Sequence, residues 1–247
     1  MKMIGSNHLE IRGSLLLESL LNKHEPESIT IEFPSNYSIN EIEELILSSH
    51  KVDNLQLLEM PDNLKKLLVE FHLNRGYDAL VPIRYAQNRG MDVYPVDYPD
   101  VAKILMSQKN KEITQEKFNA KLKNIPLQIW QMTYDEFREQ FIREIDSLYF
   151  NSELFDDSLY LVIVNLLITD KEIQNIQKIF EPEFLERREE YMAQKILDIN
   201  PDMHIGGAIH IFESYSQNFP VKQLYRRLEE ENILIKKIQL YEAVKYS

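Results

Sequence analysis

Hydrophobic and polar positions along this chain follow two spacings, one typical of strands and the other of helices. Short β-branched or alternating runs, several of them ending at Pro or Gly, predict five strands. These strands are predicted at Lys2–Ile4, Ser28–Phe33, Met91–Asp97, Met203–Ala208 and Asn232–Leu240. Helical spacing of apolar residues predicts helices at Leu9–His24, Ile39–Ser49, Asp62–Asn74, Ala79–Arg89 and Val221–Glu230, and a further helix across His210.

This order of elements indicates an α/β fold. Strands separated by helices form βαβ units, so we expect a mostly parallel sheet flanked by helices on both faces. The stretch 98–200, between the third and fourth strands, is almost wholly helical in pattern and too long for a simple crossover. We therefore predict a single α/β domain over residues 1–247, with a helical insertion or cap at 110–180.

Charge and composition narrow the classes of partner. The chain carries 28 Lys and Arg against 40 Asp and Glu, with a net charge of -12 and no long basic block, which argues against nucleic acid. The absence of Cys excludes disulfides, thiolate metal sites and cysteine nucleophiles. The longest apolar run, 159–168, falls short of a bilayer span of about 20 residues. We expect no membrane partner and, because residues 1–10 do not resemble an export signal, a cytoplasmic location.

Ionisable residues stand at or near the ends of four predicted strands. His8 follows the first strand, Glu32 lies near the end of the second, Asp97 ends the third and His210 follows the fourth. The carboxyl ends of parallel strands meet at one edge of a sheet, where ligands bind in this class of fold. Both histidines belong to Gly-x-x-His motifs, whose glycines we expect to tolerate unusual dihedrals or to let a ligand approach the backbone.

A fifth candidate comes from the helix that precedes the fourth strand. Arg188 falls on the apolar stripe of this helix, with Glu189 beside it. Because a buried guanidinium without a partner is costly, we expect Arg188 to face a carboxylate or a substrate oxygen. By contrast, the position of His204 at the start of the fourth strand predicts that it lies away from the site.

These residues together resemble a known superfamily, which contains the TraB/PrgY, GumN-like and Tiki proteins, the erythromycin esterases and the haem-binding ChaN proteins. The resemblance is carried, in order, by Gly5–His8, Ile29–Glu32, Tyr85–Asp97, Glu186–Ala193 and Gly207–His210. Helical region 110–180 matches nothing in that pattern, and Glu189 stands where relatives often have Asp or Asn. The resemblance implies a parallel α/β core with helical insertions.

The same resemblance implies an activity. Its Tiki branch implies a divalent-metal-dependent peptidase, and its esterase branch a histidine general base that activates water toward a lactone. Carried over by position, the catalytic residues are His8, Glu32, Arg188 and His210.

Imidazole and carboxylate donors suit Mn, Co, Zn or Fe, so His8, Glu32, Asp97 and His210 are candidate metal ligands. We therefore predict a metal-dependent hydrolase of peptide or ester bonds, acting on a peptide or small-molecule substrate. A metal-free hydrolase with a histidine base stays open, as does homo-oligomer formation. The alternative is a non-catalytic protein that binds or sequesters a peptide, haem or another small molecule.

Overall fold

The computed structural model describes residues 1–8, 10–49, 60, 62–106, 120–123, 125, 127–151, 159, 170–212 and 220–246. Five strands are present in these residues: β1 Lys2–Ser6, β2 Ile29–Pro34, β3 Val93–Asp97, β4 Met203–Gly207 and β5 Lys236–Gln239. They form one sheet in the order β3-β2-β4-β1-β5, and every pair of neighbours is parallel. The predicted α/β fold with a parallel sheet is confirmed, and β4 occupies the middle position.

Helices connect the strands and cover the sheet. They are α1 Gly13–His24, α2 Ile39–Ser49, α3 Asp62–Asn74, α4 Tyr77–Gln87, α5 Pro99–Met106, α6 Leu127–Gln131, α7 Tyr134–Asn151, α8 Asp170–Ile179, α9 Pro182–Ile199, α10 Ala208–Ile211 and α11 Leu224–Glu230. A 3₁₀-helix at Leu240–Tyr246 follows β5. None of the helices in the described part of the chain is both long and apolar enough to cross a bilayer.

The two faces of the sheet pack against different helices, because side chains alternate along each strand. Ile4, Ile31 and Ile205 are register neighbours on one face, where they join a core with α1, α3 and α4. Met3 lies on the opposite face, in a second core with apolar residues of α9 and α11. Thr30 and His204 are register neighbours in the row of Met3, so polar residues enter this second face next to α9.

The described part of the predicted insertion is helical. Phe137 and Phe141 of α7 are fully buried and share the first core with Leu67 and Phe71 of α3. These helices therefore pack on the same core as the sheet, and the separate cap stays a prediction. The apolar run 159–168 lies outside the described residues except for Leu159.

Candidate functional site

Three of the predicted site residues meet at the carboxyl edge of the sheet, around Gly207 at the end of β4. A Cβ atom on this glycine would lie 3.4 Å from Glu32 Oε2, 3.4 Å from His210 Cδ2 and 3.6 Å from His8 Nε2. The strands β1, β2 and β4 are neighbours, so their ends deliver these side chains to one place. The two Gly-x-x-His motifs, about 200 residues apart in sequence, therefore share one site.

His8 is the solvent-facing member of this group. Its Nδ1 lies 2.6 Å from Oδ2 of Asp78, in the first turn of α4, and 61% of its side chain is exposed. The charge of Asp78 raises the pKa of His8 to about 9, although water around the exposed ring screens this attraction. With Nδ1 held by the carboxylate, Nε2 is the nitrogen that faces the site.

His210 is the buried counterpart of His8. Its Nδ1 forms a very short hydrogen bond with Oε1 of Glu189 on α9, and its Nε2 lies 3.3 Å from Oε1 of Glu32. Burial alone would lower the pKa of His210, but these two carboxylates more than offset that effect and raise it to about 10. His210 is therefore held as an imidazolium at neutral pH, between two buried carboxylates.

Arg188 binds the two acidic side chains from β2 and β3. Its Nε and Nη2 donate to the two oxygens of Asp97 at 2.7 and 2.8 Å, and Nη2 also donates to Oε1 of Glu32 at 2.5 Å. Burial opposes the charge, but Asp97 and Glu32 raise the pKa of Arg188 above its usual value. Arg188 thus faces two carboxylates, those of Asp97 and Glu32, which agrees with the expectation that it faces an anion.

Glu32 is the centre of the polar cluster. Besides Arg188 and His210, it contacts the backbone N–H of Gly207, which donates to Oε2 at 2.5 Å. Burial alone would raise the pKa of Glu32, but His210, Arg188 and His8 together hold it well below its usual range. Glu32 is therefore ionised, and both of its oxygens accept hydrogen bonds.

Gly5 in the first motif and Gly206 next to the second are needed for space and not for unusual dihedrals, whereas a Cβ on Gly207 would make ordinary contacts. Positive φ angles occur at Gly76 and Gly90 among the glycines of the described residues, and not at Gly5, Gly206 or Gly207. A Cβ on Gly5 would overlap the ring of Phe212, and one on Gly206 would fall 2.9 Å from Glu32 Oε2. The expectation about dihedrals was wrong; Gly5 and Gly206 instead leave room for the side chains of Phe212, His204 and Glu32.

His204 lies beside the site, contrary to the sequence-based expectation. It is fully buried, its Nδ1 is 3.0 Å from Thr30 Oγ1, and its Nε2 would be 2.8 Å from a Cβ on Gly206. Burial lowers the pKa of His204 to about 4, so the ring is neutral. The expectation failed because the ring leans along the strand direction toward Glu32.

Of the residues predicted from the sequence, Arg188 and His210 contact Glu32, and His8 lies near Glu32 and His210 around Gly207. Both oxygens of Asp97 accept from Arg188, so its assignment as a metal ligand stays a prediction without support from the geometry. No group of three or more His, Asp or Glu residues in the described ranges is arranged to hold a metal ion as they stand.

Two carboxylates that hold the histidines were not predicted as site residues: Asp78 was not noticed, and Glu189 was noted beside Arg188 without a role. Acidic residues are common in the first turn of a helix, so the position of Asp78 in the sequence did not suggest a role in the site. Glu189 lies within the charged run Glu186–Glu190, and its position after Arg188 gave no indication that it pairs with His210.

Comparisons with protein-family models, with curated proteins and with solved structures find no match to this chain. The superfamily resemblance therefore stays a prediction from the motifs.

Proposed function

We propose that this chain is a hydrolase of peptide or ester bonds, and that the reaction takes place around Glu32 at the carboxyl edge of the sheet. One observation carries the proposal: each of two imidazoles has its Nδ1 held by a carboxylate and its Nε2 close to the end of β4, where Glu32 also lies. A carboxylate on Nδ1 fixes the ring and leaves Nε2 to exchange a proton or to ligate a metal. Hydrolases use imidazoles held in this way to activate water.

His8 is the residue best placed to exchange protons with a substrate or water. Its ring is exposed, so a substrate can reach Nε2 without displacing the core, and Asp78 stabilises the protonated form. Because the raised pKa leaves His8 protonated at neutral pH, a role as general base requires a higher pH. The rate of hydrolysis should therefore rise as the pH approaches about 9.

His210 and Arg188 are proposed to fix Glu32 in place. Nε and Nη2 of Arg188 already donate to carboxylates, which favours a positioning role for this guanidinium over direct substrate binding. Together with the N–H of Gly207, these donors hold the Glu32 carboxylate in one orientation. An ordered carboxylate close to two imidazoles is the kind of preorganised polar environment that stabilises developing charge.

A divalent metal fits the donor types at this site. Mn, Co, Zn and Fe accept imidazole nitrogen and carboxylate oxygen ligands, and the site offers Nε2 of His8, Nε2 of His210 and the carboxylate of Glu32. The Nδ1 atom of each imidazole is paired with a further carboxylate, as is usual for metal-binding histidines. When bound, such a metal lowers the pKa of water toward about 7. Ligation requires both histidines to lose their protons, so metal affinity should increase with pH.

The first experiment is a hydrolysis assay of the purified protein against chromogenic peptides and esters. His8→Ala, His210→Ala and Glu32→Gln should each lower turnover by about 10²-fold or more. His24→Ala is the control, because His24 ends α1 beside Lys2 at the opposite edge of the sheet. Full activity in any of the first three variants would disprove the assignment.

A second measurement separates the two forms of the hydrolase. Elemental analysis, followed by chelation and metal add-back, should show a bound metal and restored activity if the reaction uses one. Activity that survives chelation in metal-free protein would favour the histidine-base form. If no substrate is hydrolysed and the protein binds a peptide or haem saturably, the binding-protein alternative replaces the hydrolase. For haem, a shift of the Soret band on mixing reports ligation of the iron by a histidine.

A further inference from the structure

His204 carries a polar atom that nothing in the described structure satisfies. Its Nε2 is buried and has no hydrogen-bond partner, whereas its Nδ1 is paired with Thr30. Leaving a buried polar group unpaired is costly, so native proteins usually supply a protein or water partner. The position of His204 in the central strand β4, beside Glu32, makes this atom part of the site.

Nε2 of His204 and Oε2 of Glu32 face each other across the space that Gly206 leaves open. The point at which a Cβ of residue 206 would stand is 2.8 Å from the nitrogen and 2.9 Å from the oxygen. Both atoms are thus within hydrogen-bonding distance of a common point, yet they do not bond each other.

The charge of Glu32 determines which nitrogen of His204 carries the proton. Thr30 Oγ1 is 3.0 Å from Nδ1 and 3.5 Å from the carbonyl oxygen of Met203, so the hydroxyl can donate to Nδ1, or accept from Nδ1 and donate to Met203. In the first arrangement the neutral imidazole carries its own proton on Nε2. The negative charge of Glu32 favours this arrangement, because it attracts the N–H dipole.

We propose that His204 Nε2–H and Glu32 Oε2 bind one water molecule between them, over Gly206. The water accepts a hydrogen bond from His204 and donates one to Glu32, which satisfies the unpaired nitrogen. Its remaining proton and lone pair face away from these two residues. His204 is then a positioning residue: it fixes an oxygen against Glu32, and within the proposed hydrolase this oxygen is held where water is consumed.

Gly206 is required by this arrangement. A methyl group there would lie closer to His204 Nε2 and Glu32 Oε2 than Cβ atoms normally approach, and it would occupy the space proposed for water. Gly206→Ala should therefore exclude the water. Gly90→Ala does not serve as the control, because Gly90 has a φ of 65° and a side chain there would be strained. Ala193→Gly, on α9, is a better control for a one-methyl change in a buried position.

Two measurements test the water site without any assay of activity. Long-range ¹H–¹⁵N NMR of the wild-type protein at pH 7 should show a neutral His204 ring whose single proton is on Nε2, with no proton on Nδ1. A high-resolution crystal structure should show one oxygen within hydrogen-bonding distance of both atoms, and this oxygen should be absent from Gly206→Ala. A proton on Nδ1, an empty gap or a direct bond between His204 and Glu32 would overturn the proposal.

The catalytic consequence rests on the proposed function and is tested separately. His204→Phe keeps the ring volume but removes the N–H, so it should lower kcat with little change in KM, by about 10-fold or more. His204→Gln, which can donate a hydrogen bond, should recover part of the loss. An unchanged kcat in His204→Phe would overturn this catalytic role. If the wild-type protein hydrolyses nothing but shows the Nε2 tautomer and the bound oxygen, the hydrolase fails and the water site stands.

Discussion

Replacement of Arg188 is the most direct test of the charge arrangement in this site. Arg188→Met keeps an unbranched side chain of similar length but removes three hydrogen bonds to two carboxylates. Asp97 is 2% exposed and the Glu32 side chain 7% exposed, so water does not replace the lost donors. Removing one partner of a buried ion pair costs about 3–5 kcal/mol, and we expect a loss in this range.

Urea unfolding at pH 7 measures this loss, and the neighbouring Arg187→Met provides the control. Arg187 is exposed and its Nε donates to the backbone oxygen of Glu183, so its replacement should change the free energy of unfolding by no more than about 0.5 kcal/mol. Arg188→Lys should give an intermediate loss, because an ammonium keeps the charge but lacks the planar fork that binds Asp97.

The pH dependence of the loss provides a second check on its cause. Arg188 helps to hold the pKa of Glu32 below its usual 4.5, so the ion pair contributes stability above that value and loses it as the pH falls. The gap between wild type and Arg188→Met should be largest near neutral pH and narrow on acidification below about 4.5. A loss under about 1 kcal/mol, or one that does not vary with pH, would refute the charge-pairing argument.

Three further predictions concern the histidines and a glycine. The pKa of His210 is raised from 6.5 to about 10, so its ion pairs stabilise the fold fully below pH 6.5 and less as the pH rises toward 10; in Glu189→Gln, measured by urea unfolding, this decline should be smaller and should end at a lower pH. NMR titration of His8 should give a pKa above 6.5 that falls with added salt, and a lower pKa would contradict its pairing. Gly5→Ala should lower the free energy of unfolding by about 1–3 kcal/mol, because the added methyl overlaps the Phe212 ring, and a second substitution, Phe212→Leu, should recover part of this loss. If Gly5→Ala unfolds at the same denaturant concentration as the wild type, the Phe212 ring moves aside and the packing argument is wrong.

The sequence predicted the sheet well because its strands carry strong local patterns. β2 is β-branched and ends at Pro34, and β4 ends in the two glycines before His210. The strand ends then predicted the site, since parallel strands bring their carboxyl ends to one edge. His8, Glu32 and His210 could therefore be grouped without any knowledge of the strand order.

Residues that reach the site from the side were not predictable in this way. Asp78 meets His8 only because α4 packs against α1 and the sheet, a long-range relation that no local pattern encodes. His204 depends on strand register, since its place beside Thr30 and Glu32 follows from the pairing of β2 with β4. Register between parallel strands is set by the packing of both faces, and this requires the folded structure.

The two outer strands carry features that discourage the sheet from extending into another molecule. In the described part of the chain β3 and β5 flank the sheet; β3 contains Pro95, which has no N–H to offer, and β5 begins with the exposed Lys236 followed by Lys237. Proline and lysine on border strands oppose intermolecular strand addition. Should copies of this protein associate, pairing of their border strands is therefore disfavoured, and we expect the contact to be made by helices.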